Sequence, residues 1–381
     1  MSEWKLKDCC LSISDGDHQP PPKAESGIPF ITISNIDGTN HIDFGNTLFV
    51  PIEYYNTLDS IRKAKPNDII YSVVGSFGKP VLIKDNRKFV FQRHIAILRP
   101  NSEVVDSRFL YYVMLSRDFY MQADSVAIGA AQRTISLTSL RNMKVELPSL
   151  ANQIYIADIL SRYDSLIENY QKQIKLLEEA AQRLYKEWFV DLHFPGYENT
   201  KIVDGVPEGW NPSKLGQLAE FKRGKTITKK DVVDGPIPVV AGGLEPAYYS
   251  NKSNTAERVI TVSGSGANAG FTRMYFEKVW ASDCSYVDLE TTQFLHFVFC
   301  YLKDNKTTID NMQKGAAQPH VYAKDINALR LCIPTEDVLN TFENKVSSYY
   351  NTISSLQSQI RLLTEARDRL LPKLMSGEIE V

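Results

Sequence analysis

The chain has 381 residues, of which 43% are hydrophobic and 23% charged, with a formal net charge of −2. That is long enough for two or three domains with their own cores. The near-neutral balance argues against a protein that coats nucleic acid without regard to sequence, but leaves room for a specific binder with its basic residues on one face. No apolar run reaches the ~18 residues a membrane span needs, and the opening MSEWKLKDCC has neither the apolar core nor the cleavage site of a secretory signal. The five cysteines (Cys9, Cys10, Cys284, Cys300, Cys332) are odd in number and form no CxxC pair. A disulfide framework and a zinc site are therefore not expected. The chain reads as a cytoplasmic protein with buried thiols and no metal.

In chain order, residues 1–148 read as a mixed α and β domain. Stretches 29–36, 68–74 and 89–98 are strand-like, with Arg93 and His94 inside the last of them, and 109–120 is a helical patch. Gly and Pro punctuate the rest. Residues 149–200 hold a long helix with a narrow apolar seam at three- and four-residue steps: Leu160, Tyr163, Ile167, Tyr170, Ile174, Leu177, Ala181, Leu184 and Trp188. Residues 201–334 repeat the order of the first domain, and residues 335–381 repeat the helix, with Val346, Tyr349, Ile353, Leu356, Ile360, Leu363, Arg367, Leu370 and Leu374 along its seam. Only Arg367 breaks the second seam.

From Gly129-Ala-Ala-Gln against Gly315-Ala-Ala-Gln the match runs without a gap at a constant offset of 186 residues, through Pro148/Pro334 and into both helices. The chain is a tandem duplication of a globular domain followed by a helix. Ser149 and Thr335 follow those prolines as N-caps. Pro372 stands where the first helix has Lys186, and predicts a kink or an earlier end. Chain continuity predicts that the helices pack antiparallel with an internal pseudo-twofold. The fold class expected is α+β: two similar mixed domains separated by a pair of long antiparallel coiled-coil helices. Two diverged modules on a rod suit duplex DNA read as two different half-sites, with helix length setting the base pairs between them.

These features together resemble the specificity subunit of type I restriction–modification enzymes. The carrying residues are the Gly-x-x-Gln segments, the repeated Gln-Ile-(Lys/Arg)-Leu-Leu at 173–177 and 359–363, and Arg369-Leu-Leu-Pro-Lys-Leu-Met-Ser-Gly-Glu-Ile at the C-terminus. The resemblance implies two target recognition domains for a bipartite, asymmetric double-stranded DNA site. It also implies helices on which two methylation subunits dock, with restriction subunits joining that complex. S-adenosylmethionine, ATP and Mg would belong to those partners, and none to this chain.

The candidate DNA contacts are residues whose chemistry suits phosphates or base edges. Gln132, Arg133 and Thr134 in the first domain answer to Gln318 and His320 in the second. The shared Gly-Ala-Ala-Gln core favours scaffold or phosphate contact over base reading, whereas Arg133 against Pro319 fits a variable position. Lys222, Arg223 and Lys225 begin the densest basic patch, with a solvated loop as an equally weighted reading. Lys79 closes a glycine-containing loop that answers to Ser263–Gly270, which offers Ser265 and Asn268, with Arg273 beyond it. Arg93 completes the set. Asp17 and His18 beside Asp15 read as solvated rather than metal-binding. An amino-methyltransferase motif and a Walker A sequence are both missing, so catalysis is expected from partners. A protein-binding scaffold that never touches DNA is the competing reading.

Overall fold

The computed structural model describes residues 2–16, 21–37, 40–45, 47–130, 132–313 and 319–379. The chain forms two compact units, Met1–Glu168 with Arg361–Val381, and Asn169–Ile360.

Unit 1 begins with β1 (Ser2–Lys5), α1 (Leu6–Cys9), β2 (Cys10–Asp15), β3 (Ile28–Ile31), β4 (Leu48–Val50) and α2 (Ile52–Thr57). It continues with β5 (Ile69–Ser72), β6 (Pro80–Leu82), β7 (Val90–Phe91), β8 (Ile95–Pro100), α3 (Ser107–Leu115), α4 (Arg117–Val126), α5 (Leu137–Asn142) and β9 (Lys144–Leu147). The long helix α6 (Leu150–Tyr185) follows and ends in a π-helical turn, Lys186–Val190. Three sheets result: β1-β9, β2-β8-β5-β6 and β4-β3-β7, the last with β3 and β7 parallel.

Central strand β5 is apolar at consecutive positions because both of its faces are covered. The two-residue period sends Ile69 and Tyr71 into a core with Phe109, Leu110 and Leu160. It sends Ile70 into a second core with Ile31, Phe91 and Ile97.

Unit 2 repeats this plan. Its elements are β10 (Ile202–Val203), β11 (Val206–Pro207), β12 (Asn211–Lys214), α7 (Leu215–Leu218), β13 (Lys222–Arg223), β14 (Ile237–Val240), β15 (Tyr248–Ser250), β16 (Val259–Ser263), β17 (Thr272–Tyr275), β18 (Trp280–Ala281) and β19 (Cys284–Asp288). Then come α8 (Leu295–Asp304), α9 (Lys306–Asn311), α10 (Ala323–Asn327), β20 (Arg330–Ile333) and α11 (Glu336–Ser376). The sheets β12-β20, β13-β19-β16-β17 and β15-β14-β18 reproduce those of unit 1 strand for strand, down to one parallel pair, β14 with β18. The hairpin β10-β11 has no counterpart among the described residues of unit 1. The duplication read from the sequence is thus a duplication of topology.

The first part of α6 belongs to unit 1 and the rest to unit 2, while α11 divides in the reverse order. Ile156, Ala157 and Leu160 share a core with Leu371 and Leu374. In unit 2, Ala181, Tyr185 and Trp188 share one with Phe342, Val346 and Ile353. Early residues of one helix pack with late residues of the other, the order of an antiparallel pair. Every predicted seam residue is buried or half-buried, and none is exposed. The Ser149 hydroxyl accepts from the Asn152 amide at 3.3 Å and caps α6.

Two local expectations meet the structure differently: the earlier helix end at Pro372 and the strand at Arg93-His94 are both absent. α11 passes through Pro372 and runs on to Ser376. A proline removes one amide and crowds the preceding turn, but Leu371 and Leu374 on either side are buried in the unit 1 core, and that burial holds the last turn. Arg93 and His94 do not lie in a strand. They form the turn between β7 and β8, closed by the Ile95 amide donating to the Gln92 carbonyl at 2.9 Å.

Candidate nucleic-acid interface

One backbone frame recurs in both units. In unit 1 the Gly75 amide donates to the Arg133 carbonyl (2.9 Å) and the Ile135 amide to the Val73 carbonyl (2.8 Å). In unit 2 the Gly266 amide donates to the Pro319 carbonyl (3.1 Å) and the Val321 amide to the Gly264 carbonyl (3.1 Å). Isolated bridges pair Val74 with Thr134 and Ser265 with His320. Gly75 and Gly266 both adopt left-handed backbone, with φ of 69° and 77°, which costs a glycine little and most residues more. The glycine loop and the segment after the Gly-Ala-Ala-Gln motif, distant in sequence, thus lie side by side in each unit.

A second pair of glycines completes the frame. A Cβ on Gly16 would stand 2.1 Å from the Phe91 carbonyl oxygen, and one on Gly224 would stand 2.4 Å from that of Ser282. Both amides donate into the sheet, to Ile95 (3.1 Å) and Cys284 (2.8 Å). Each glycine is therefore pressed against the backbone at the turn between the short parallel-paired strand and the inner strand. That turn is Arg93-His94 in unit 1 and Asp283 in unit 2. Its carbonyls are held alike: the Val73 amide donates to His94 (2.9 Å) and the Gly264 amide to Asp283 (3.2 Å).

On this shared frame the side chains differ. Arg93 is exposed; His94 is half-buried. Burial, and then the Arg93 guanidinium, push the His94 imidazole below its ordinary pKa. Gln132 is exposed next to Gly75. Arg133 is turned inward: it pairs with Asp124, donates to the Ala127 carbonyl at 3.4 Å and covers the Phe77 ring at 5.5 Å. It braces the loop more than it offers a free cation. The Thr134 amide is held by the Ile128 carbonyl at 2.8 Å. The Lys79 ammonium reaches the Ile36 carbonyl at 3.5 Å.

In unit 2 three candidates converge on one cleft, lined by Arg223, Ser265, Asp283, His320, Tyr322 and Lys324 among others. Lys222 and Arg223 form edge strand β13, paired with Tyr286 and Ser285, so the basic stretch begins as a strand with both side chains exposed. Lys225 is exposed just beyond it, its carbonyl taking the Trp280 indole N–H at 2.7 Å. Ser265 donates to the Asp283 carboxylate. The His320 and Tyr322 rings stack nearly parallel, 5.8 Å apart, and the Lys324 ammonium stands 5.7 Å from the Tyr322 ring centre. The cleft combines two cationic rims, an aromatic ladder and a carboxylate, a set suited to phosphates and base edges.

Asn268 and Arg273 lie apart from the cleft lining. Asn268 donates to the Gly242 carbonyl at 3.4 Å, and Arg273 to the Leu244 carbonyl at 2.8 Å. Gln318, Asp17 and His18 fall outside the described residues. Sequence reasoning missed Asp283, Tyr322, Lys324 and the frame glycines Gly16 and Gly224. Only aligning the two copies through their strands reveals the last two. Among the described residues no group of His, Cys, Asp and Glu could hold a metal ion, and no helix is long and apolar enough to cross a membrane.

The family model described as "Type I restriction modification DNA specificity domain" matches residues 5–179 and 207–360. The MjaIX specificity subunit of Methanocaldococcus jannaschii is 26% identical over 309 residues, 74% of this chain and 71% of that protein. The HindI specificity subunit of Haemophilus influenzae is 24% identical over 473 aligned positions, covering 100% of both. The crystal structure of a type I restriction–modification S subunit from M. genitalium superposes with a TM-score of 0.58 at 16% identity, covering 98% of this chain and 95% of that one, and so shares its fold. With one match of the family model on each copy of the duplication, the chain belongs to the specificity subunits of type I restriction–modification systems, non-catalytic proteins that recognise DNA sequence within a larger complex.

Proposed function

We propose that this specificity subunit reads one asymmetric, bipartite duplex site, with the interior of each unit reading one half. The observation that carries the reading is a fixed backbone frame bearing different side chains. Val74 faces Ser265 in the comparison, Thr134 faces His320, and Arg93-His94 face Asp283. A common scaffold with exchanged polar groups is what two different base sequences would require. Residues 1–148 and 201–334 are proposed as the recognition domains, and 149–200 and 335–381 as the spacer.

Two methylation subunits are proposed to dock on the spacer helices, with restriction subunits added to that complex. S-adenosylmethionine, ATP and Mg would act in those partners. Arg223, Lys222, Lys225 and Gln132 are assigned to phosphates or base edges. Arg133 and Arg273, already engaged within the chain, would position their loops. The Gln-Ile-(Lys/Arg)-Leu-Leu repeat presents Leu176 and Leu362 to solvent at equivalent points, 61% and 60% exposed, which suits two copies of one partner.

The test is fluorescence anisotropy of the reconstituted methylation complex on its own site and on scrambled duplexes. Salt-sensitive binding that is at least tenfold tighter to the site, by roughly the margin specific binders show, supports the reading. Equal binding to all duplexes contradicts it.

A further inference from the structure

We infer that the turn before the inner strand of each unit reads a base: Arg93 selects guanine in one half-site, and Asp283 selects a base with an exocyclic amino group in the other. The inference rests on the reading above, that each unit contacts its own half of a DNA site.

The two turns are equivalent by geometry. Each follows the short parallel-paired strand, β7 or β18, and leads into the strand at the centre of the four-stranded sheet, β8 or β19. Each lies under a glycine that tolerates no Cβ, Gly16 or Gly224. Each gives its carbonyl to the strand-end residue of the glycine loop, Val73 or Gly264. The backbone is over-determined in the same way twice: by these hydrogen bonds His94 stands where Asp283 stands, and Arg93 stands one residue earlier, where unit 2 has the buried Ser282.

Each turn exposes one charged side chain, and the two charges are opposite. Arg93 is exposed and makes no side-chain hydrogen bond or ion pair among the described residues. Asp283 is exposed, and among the described residues its side chain is hydrogen-bonded by the Ser265 hydroxyl, which donates to Oδ2. A carboxylate offers about four acceptor positions, so Asp283 keeps acceptors free at the mouth of the cleft. A structural turn has no need of an unpaired guanidinium in one copy and a carboxylate in the other.

A guanidinium fork matches the O6 and N7 acceptors of guanine, and a carboxylate accepts from the N4 amino group of cytosine or the N6 group of adenine. Arg223 and Lys324 line the cleft that Asp283 enters, and would neutralise the flanking phosphates that otherwise repel a carboxylate. Ser265 holds the carboxylate in one orientation, and that orientation gives selectivity.

The experiment uses the full chain in complex with its methylation subunits, and maps methylated adenines by sequencing treated DNA. Asp283→Ala should relax one base pair in one half-site, with discrimination falling roughly tenfold or more. Asp283→Asn, of the same shape, should shift the preferred base at that same pair. Arg93→Ala should relax a single pair in the other half-site. Variants that keep both half-sites unchanged, or that relax several positions in both, overturn the inference. Failure of the unaltered complex to mark any bipartite site would instead remove the reading on which it stands.

Discussion

The Arg367 guanidinium lies 2.7 Å from the Asp164 carboxylate, joining α11 to α6 inside unit 1. Arg367 is the single residue that interrupts the second apolar seam, and the structure shows its counterpart. Asp164 also accepts from the Tyr112 hydroxyl at 2.6 Å, and Arg367 pairs with Asp368 as well. At the equivalent positions of unit 2 stand Ala181 and Tyr350, both buried. One copy closes its helix pair with charges, the other with a tyrosine and an alanine buried in the same core.

Arg367→Ala should therefore destabilise unit 1 by about 2–4 kcal/mol, because Asp164 is left largely buried without its cation. The double change Asp164→Tyr with Arg367→Ala copies the solution found in unit 2 and should recover more than half of that loss. Chemical denaturation of the four chains gives the cycle. A double variant as weak as the worse single change would show that the two sites are not interchangeable.

Glu168 fastens the segment around His41 to the long helix. His41 is 3.2 Å away, and Lys84 pairs with the same carboxylate oxygen. The His41 hydrogen bond, and then Lys84, hold Glu168 down at about 2, while the Glu168 hydrogen bond raises His41. A depressed carboxylate contributes stability above its unfolded pKa of 4.5 and loses it as pH falls towards 2. A raised imidazole contributes below its unfolded value of 6.5 and loses that contribution as pH rises through its folded value. The group is thus strongest between those two unfolded values. Glu168→Gln should lower the melting temperature most near the middle of that window and less at pH 8. A constant difference across pH would contradict the assignment.

The frame glycines make a stability prediction of their own. Gly16→Ala and Gly224→Ala each place a methyl group on fixed backbone carbonyls, so each should cost about 1–3 kcal/mol or more. The two variants should weaken different units. Limited proteolysis followed by mass spectrometry should show cleavage confined to the unit that carries the change.

Lys222 and Lys225 are exposed beside the unit 2 cleft. If each neutralises one phosphate, replacing both with alanine should reduce the slope of log affinity against log salt by about two, without changing which sequence is preferred. Anisotropy titrations of the methylation complex at several salt concentrations measure that slope. An unchanged slope would return these lysines to the solvated surface.

Much of the architecture was legible because it is periodic. The seam from Leu160 to Leu184 repeats at the spacing of a helix, and a helix cannot be built otherwise without exposing it. The ungapped match from Gly129/Gly315 onward gave α5, β9 and α6 their partners in α10, β20 and α11. Earlier in the chain the spacing between copies drifts, from Gly16/Gly224 to Val73/Gly264, because loops of different length intervene. The frame glycines were hidden by that drift. Asp283 was not legible at all: it acquires meaning only from Ser265, Arg223 and Lys324, which three separate segments bring to it. The strand expectation at Arg93 and His94 fails: the apolar run Phe89–Leu98 alternates through them, whereas the Ile95 amide closes a turn on the Gln92 carbonyl, with Gly16 packed against Phe91 and Gln92. The helix does not end early at Pro372 because the burial of Leu371 and Leu374, invisible to local backbone chemistry, holds its last turn.

The central claim is that one chain reads two different half-sites through two copies of one frame. A map of methylated adenines from cells that carry the methylation partner, with and without this chain, tests it most directly. The expected result is a single asymmetric sequence of two short specified parts separated by a fixed unspecified gap, present only with the chain. An uninterrupted or palindromic motif, or a pattern that persists when the chain is removed, would contradict it.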